Sequence, residues 1–218
     1  MDTRSVREYS PTKFHLFFAW LLRWPVRLLV FLKIDPNWIT ALSVGCAIYA
    51  AYAIFHGWWW YAILGILLDG FCDMSDGEVA RRMPNRRTAL KQWGELLDPV
   101  TDRIKDAFLF IGIIGYSLPP KYNGWFCLLL AFSMSSHTIS SYIRTKVESM
   151  QARLQADKPL TRATFHVTVI AVCLCQALSW PSSEQSFFLW STVVLVCAPT
   201  IYMFMRRLQM SYHVFNNQ

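Results

Sequence analysis

Residues 69–106, DGFCDMSDGEVARRMPNRRTALKQWGELLDPVTDRIKD, set acidic side chains into two segments that otherwise have the composition of membrane-spanning helices. An ionisable side chain at membrane depth costs roughly 2.5 kcal/mol or more, so acids kept there point to a functional site. On the first segment Asp69, Asp73, Asp76 and Ala80 follow at intervals of four, three and four; on the second Gly94, Asp98 and Asp102 repeat every four. With a turn every 3.6 residues, each set runs along one helical face. The connection between the segments is short and basic, which predicts antiparallel neighbours with Asp73 and Asp76 opposite Asp98 and Asp102. Four carboxylates at close range cannot all stay ionised without cations, and an all-oxygen ligand set selects hard ions such as Mg2+ or Mn2+. The expectation is a divalent metal site, with two ions.

Outward from this stretch, the chain is apolar. Of 218 residues, 54% are hydrophobic, against 16% charged, and the mean hydropathy is positive, which argues for an integral membrane protein rather than a soluble domain. Among long apolar segments, a net charge of +7 suits an anionic lipid surface, and nucleic acid is not expected as a partner. The six cysteines lie in or beside apolar segments and read as small buried hydrophobes rather than disulfides or metal ligands. The N-terminal MDTRSVREYSPTK lacks the apolar region and cleavage site of a secretory signal.

In chain order, residues 14–33 are apolar except for Arg23 and Arg27, which share a face around Pro25 and predict an interfacial amphipathic helix. Asp35-Pro36 is a helix start, with Asp as cap and Pro in the first turn. Spans are then predicted at about 37–55, 58–82, 90–118, 125–150, 163–180 and 186–205, punctuated by His56-Gly57, Pro84-Asn85, Pro119-Pro120 and Pro181. The predicted fold is all-α: a single domain over 1–218, with a juxtamembrane segment (1–34) and a six-helix transmembrane bundle (35–207). The N-terminal segment, the 81–91 and 144–162 connections and Arg206-Arg207 are basic, and in a six-span chain all fall on one side. Positive charge concentrates on the cytoplasmic side, so both termini and the acidic cluster are expected there.

Several residues near the stripes admit two readings. Gly77 and Gly94 cost about 1 kcal/mol each in helix interiors, which either a ligand close to the backbone or tight helix packing explains. Arg81, one turn beyond Gly77, is within reach of a phosphate. A bland alternative for the aspartates is salt bridging to Arg81, Arg82, Arg103 or Lys105. His137 reads as a packed polar residue, His56 and His166 as span-end residues without a special role, and Gly112 and Gly115 as helix-packing positions.

Asp73-x2-Asp76-Gly77-x2-Ala80-Arg81, followed by Gly94-x3-Asp98-x3-Asp102, resembles the signature of the CDP-alcohol phosphotransferases. Pro36-Asn37-Trp38-Ile39-Thr40 is similar to an element at the start of the first span in many members. Twelve residues separate Arg81 from Gly94, where the family usually has about seven to nine, so contacts made by this connection do not carry over directly. The resemblance implies transfer of a phosphoalcohol from a CDP-alcohol, commonly CDP-diacylglycerol, to an acceptor hydroxyl with release of CMP. It implies Asp73, Asp76, Asp98 and Asp102 as metal ligands, with Asp102 also the base. Asn37, Thr40, Gly77, Ala80, Arg81, Thr88 and Gly94 would surround the CDP-alcohol, and a homodimer is expected.

Ser141-Tyr142-Ile143-Arg144-Thr145-Lys146-Val147-Glu148 is similar to an element of members that use phosphorylated acceptors such as glycerol phosphate or inositol phosphate. Arg144 and Lys146 are then acceptor-binding candidates, an arginine fork being suited to phosphate oxygens, though both also serve as positive-inside anchors. Two other functions compete: a divalent-cation transporter using the intramembrane acids, and a relative that binds CDP without turnover.

Overall fold

The computed structural model describes residues 24–83, 88–119, 122–150, 162–178 and 184–216, the side chains of a few residues at segment ends excepted. The first half of the predicted amphipathic helix, 14–23, therefore lies outside the described residues, as do the inner parts of the two basic connections, 84–87 and 151–161. The described residues are helical: α1 (24–31), α2 (Pro36–Phe55), α3 (Trp59–Arg82), α4 (Thr88–Tyr116), α5 (Gly124–Ser149), α6 (Arg162–Leu178), α7 (Glu184–Thr192) and α8 (Ala198–Asn216). A single π-helical turn, Val193–Cys197, joins α7 and α8 into one long rod.

The helix ends follow the local chemistry. Asp35 caps α2 by accepting from the Asn37 backbone N–H at 2.9 Å, and Pro36 opens the helix. At the other end Gly57 adopts φ +72°, which strains any residue with a Cβ, and that Cβ would also stand 3.1 Å from the Tyr116 ring.

Among the described residues, α2, Gly124–Val147 of α5 and the stretch Ser186–His213 are long and apolar enough to cross a membrane. The acids of α3 and the mixed charges of α4 dilute their apolar character. At 17 residues, α6 runs about 26 Å, a little less than a bilayer's hydrocarbon thickness.

The bundle is organised on α2, which packs against both α3 and α4. The contacts are backbone-close because small residues meet. A Cβ on Gly65 would lie 2.8 Å from the Ala50 Cβ, and one on Gly112 would lie 2.6 Å from the Ala51 carbonyl oxygen. A Cβ on Gly115 would collide with the Phe55 ring. Gly112 and Gly115 are thus packing positions, as their sequence predicts. Pairings fix the directions: Thr40 meets Asp76 and Ala50 meets Gly65, so α2 and α3 are antiparallel. Ser43 meets Lys105 and Ala51 meets Gly112, so α2 and α4 are parallel. Hence α3 and α4 are antiparallel, as expected, but they are not direct packing neighbours. Among the described residues their close backbone approaches are fewer than either makes with α2, and they meet chiefly through long side chains.

Two further departures concern the later helices. The last rod runs on to Asn216, well past the expected end near residue 205. Arg207, read from the sequence as a loop charge, is buried within the rod's packing and donates from Nη1 to the Ser140 carbonyl and Oγ of α5, each at 3.0 Å. A buried guanidinium is held by matched oxygens, which neither charge counting nor hydropathy reveals.

The bundle has two unlike ends. At one, Trp59, Tyr116, Tyr122, Phe126 and Phe188 pack ring against ring, with centroids 4.7 to 6.3 Å apart. At the other lie the start of α2, the second half of α3 and the middle of α4, where the acids gather. The buried Val26 of α1 packs with Ile39, Cys72 and Val79 beside that end.

Candidate active site

Each acid stripe is presented by a different helix, and α2 aligns them. Thr40, one turn into α2, donates from Oγ1 to Asp76 Oδ2 at 2.6 Å, which fixes the carboxylate of a buried residue. One turn further, Ser43 donates to the Thr40 carbonyl at 2.9 Å and lies 3.5 Å from Asp73 Oδ1. The Pro-Asn-x-x-Thr start of α2 is therefore a support for the α3 stripe: Asn37 contributes its backbone N–H to the cap and Thr40 its hydroxyl to the site.

From α4, Asp102 is partly exposed and Asp98 faces solvent. The cation between the stripes is Lys105. Its side chain is fully buried, and Nζ contacts Asp73 Oδ1 and lies 2.9 Å from Ser43 Oγ, 3.2 Å from Asp69 Oδ1 and 3.8 Å from Asp102 Oδ1. Asp73, Asp102 and Thr40-bound Asp76 are thus brought to one end of the bundle, as the spacing predicts.

Beneath the signature aspartates the structure adds a second tier. Asp69 and Asp106 are almost fully buried, one turn inward from Asp73 and Asp102 respectively. Asp106 Oδ2 is 3.0 Å from His137 Nε2 on α5, and Asp106 Oδ1 is 3.4 Å from His166 Nε2 on α6. His166 Nδ1 lies 3.8 Å from Asp69 Oδ2, closing a ring that spans α3, α4 and α6. His137 is a packed polar residue as expected. His166, in contrast, is no bystander at a span end. Its burial between two acids corrects that expectation. The signal available in sequence was the continuation of both stripes, Asp69 four before Asp73 and Asp106 four after Asp102. The partners on α5 and α6 carry no such mark.

Among the described residues, nothing packs within 4 Å of where a Cβ on Gly77 would stand, so tight packing there does not account for this glycine. Ala80 and Arg81 are exposed at the end of α3, where Arg81 binds Glu78 through Nε at 3.0 Å and Nη2 at 2.8 Å. Glu78 also accepts from Arg82 at 2.8 Å. Both arginines are thereby held on one carboxylate at the end of α3. Gly94 lies half-buried in the second turn of α4; Thr88 begins that helix, and its side chain is outside the described set.

Arg144 and Lys146 are exposed near the end of α5. The α4–α5 pair is antiparallel, because Cys127 meets Ser117 while His137 meets Asp106. Arg144, seven residues past His137, stands on the same face two turns onward. That is the level of Asp98 and Asp102.

The donor set fits a hard divalent cation: carboxylates from two facing helices, supported by hydroxyls, at a solvent-accessible end. Among the described residues, no three His, Cys, Asp or Glu side chains are grouped so as to hold a metal ion. Asp69, Asp73 and Asp102 instead surround the Lys105 ammonium.

Comparison with known proteins points the same way. A family model described as CDP-alcohol phosphatidyltransferase matches residues 33–211. Phosphatidylinositol phosphate synthase of Cutibacterium acnes is 30% identical over 144 residues, which cover 64% of this chain and 66% of that protein. The matched stretch spans 66% of that protein and 52% of the phosphatidylinositol phosphate synthase of Streptomyces avermitilis, which is 27% identical over 60% of this chain. Phosphatidylinositol phosphate synthase of Mycobacterium tuberculosis, solved with CDP-DAG bound, superposes with a TM-score of 0.72 at 18% identity, covering 89% of this chain and 94% of the other. The same protein solved with manganese and citrate gives a TM-score of 0.68 at 19% identity, covering 86% and 87%. At these identities the superpositions establish the fold.

Proposed function

The chain belongs to the CDP-alcohol phosphatidyltransferase family, and we propose that it transfers the phosphatidyl group of CDP-diacylglycerol to the hydroxyl of a phosphorylated polyol, inositol phosphate foremost, with release of CMP. The observation that carries this reading is that Asp73 of α3 and Asp102 of α4, in the spacing of the family signature, both reach the Lys105 ammonium, while Thr40 of α2 holds Asp76 one turn from Asp73. The names of the relatives favour inositol phosphate over glycerol phosphate. Family membership sets the cation-transporter reading aside.

In this reading Asp73, Asp76, Asp98 and Asp102 hold a divalent metal, Mg2+ or Mn2+. When bound, the metal neutralises the pyrophosphate and stabilises charge on the departing CMP. The chain's own residues do the rest. Open space beside Gly77 admits the nucleotide, and Arg81 exchanges its exposed Glu78 partner for a phosphate. Arg144 and Lys146 bind the acceptor's phosphate at the level of Asp98 and Asp102. Asp102 takes the proton of the acceptor hydroxyl as its oxygen bonds to the phosphatidyl phosphorus; the bond from that phosphorus to the CMP oxygen breaks, and CMP leaves with the electron pair.

Six spans are proposed, with α3, α4 and α6 crossing the bilayer together with the three apolar rods, and the acidic end at the cytoplasmic face. A lipid donor keeps its acyl chains in hydrocarbon while a soluble acceptor arrives from water. Homodimer assembly belongs to the same proposal and rests on the family alone.

The test is purified protein incubated with CDP-diacylglycerol, Mg2+ and a panel of acceptors, with CMP and lipid products read by mass spectrometry. Phosphatidylinositol phosphate is the expected product. Absence of CMP release with every acceptor would defeat the reading.

A further inference from the structure

The cation at the heart of the acid cluster is part of the chain. The Lys105 Nζ donates to Asp73 Oδ1 and to Ser43 Oγ at 2.9 Å, and Asp69 Oδ1 and Asp102 Oδ1 lie at ion-pair distances of 3.2 and 3.8 Å. These oxygens come from α2, α3 and α4, so the ammonium is caged by three helices and has no exposed surface. A buried ion pair of this kind is tolerated only when its geometry and hydrogen bonds are complete. The cage is also selective about what it touches. Asp73 and Asp102 are signature aspartates on opposite helices, whereas Asp69, outside the signature, supplies the charge that balances the lysine.

Two-metal phosphoryl-transfer centres place their ions about 3.5–4 Å apart and act from both sides of the reacting group. A divalent ion of this class sits about 2.0–2.1 Å from its oxygens. An ion joining Asp73 to Asp102 on the buried side would have to enter the volume that Nζ already holds.

We propose that Lys105 is a resident cation of this centre, taking the place of a second divalent ion between Asp73 and Asp102, so that the site binds one exchangeable metal ion per chain. The inference rests on the transferase reading above and revises the two-ion expectation drawn from the aspartate count. Asp76, oriented by Thr40, and solvent-facing Asp98 join Asp73 and Asp102 in holding that single ion toward water. Asp69 and Lys105 then form a matched pair whose joint removal leaves the four signature aspartates without an internal cation.

The experiment counts bound Mn2+ in the purified full chain with CDP present, by loss of the free-ion electron paramagnetic resonance signal and by elemental analysis after desalting. The expected result is about one Mn2+ per chain for the unaltered protein and about two for the double variant Asp69→Asn/Lys105→Met, which removes both charges and orphans neither. Two ions in the unaltered protein, with CMP release intact, would overturn the inference and leave the transferase reading standing. One ion in both proteins would also overturn it, because Lys105 would then not be what excludes the second. No bound ion, together with no CMP release, would overturn both.

Discussion

The two ends of the bundle use the same helices for opposite purposes. At the aromatic end α3, α4, α5 and α7, with Tyr122 just before α5, bring together Trp59, Tyr116, Tyr122, Phe126 and Phe188, with Phe188 wholly enclosed. At the acidic end the start of α2, the second half of α3 and the middle of α4 bring together Thr40, Ser43, Asp73, Asp76, Asp102 and Lys105. The aromatic end is held by dispersion and shape, which are satisfied once packing is complete. The acidic end keeps partly exposed carboxylates that packing alone leaves underused. The contrast teaches that the glycines and polar residues of this chain must be read by location: Gly112 presses on the α2 backbone, whereas Gly77 faces open space.

Substitutions that separate the ends test the contrast. Asp102→Asn should lower CMP release on the order of 10²- to 10⁴-fold while the thermal unfolding midpoint stays within a few degrees. An active Asp102→Asn protein would remove the base from the proposed chemistry. At the other end, Phe188→Ala should cost about 3 kcal/mol of stability, read as a lower unfolding temperature in detergent, with the acceptor KM of the folded fraction unchanged. A selective loss of turnover there would erase the distinction between the ends.

The glycines sharpen it. Gly112→Ala should destabilise by about 1–3 kcal/mol, since its Cβ would lie 2.6 Å from a backbone oxygen. Gly77→Ala should leave stability intact or slightly raised and weaken CDP binding, measured by calorimetry. Thr40→Val removes a hydrogen bond to a charged group worth about 1.5–3 kcal/mol, so a fall of roughly tenfold in kcat/KM is expected, with Asp76 free to rotate. Arg144→Ala should give the smallest change, a several-fold rise in the acceptor KM with the CDP-diacylglycerol KM unaltered.

Much of the acidic end was legible beforehand. The intervals from Asp69 to Ala80 and from Gly94 to Asp102 place each set on one face because helix geometry is local, and the capped start at Asp35-Pro36 is equally local. The neighbours across helices were not legible. Ala50 and Ala51 are consecutive yet press against different helices, Gly65 of α3 and Gly112 of α4. A run of small residues shows no preferred face, so nothing in the α2 pattern announces that it lies between the two stripes. For the same reason the sequence suggests that α3 and α4 pack directly, when α2 is what aligns them.

Sequence alone determined which residue types lie on which helical face and that four carboxylates gather toward one end, because the periodicity of a helix and the cost of charge in an apolar segment are properties of short stretches. Only the tertiary structure decided what those carboxylates meet. His137, His166 and Arg207 look like anchors or bystanders along the chain, and Lys105 is one of four cations the sequence offers the aspartates as salt-bridge partners; the partners cited for these residues on other helices stand 31 to 97 positions away in number. Long-range placement of a charge depends on which backbones can approach closely enough to enclose it, and that follows from the mutual fit of small residues across α2, a property no single segment contains.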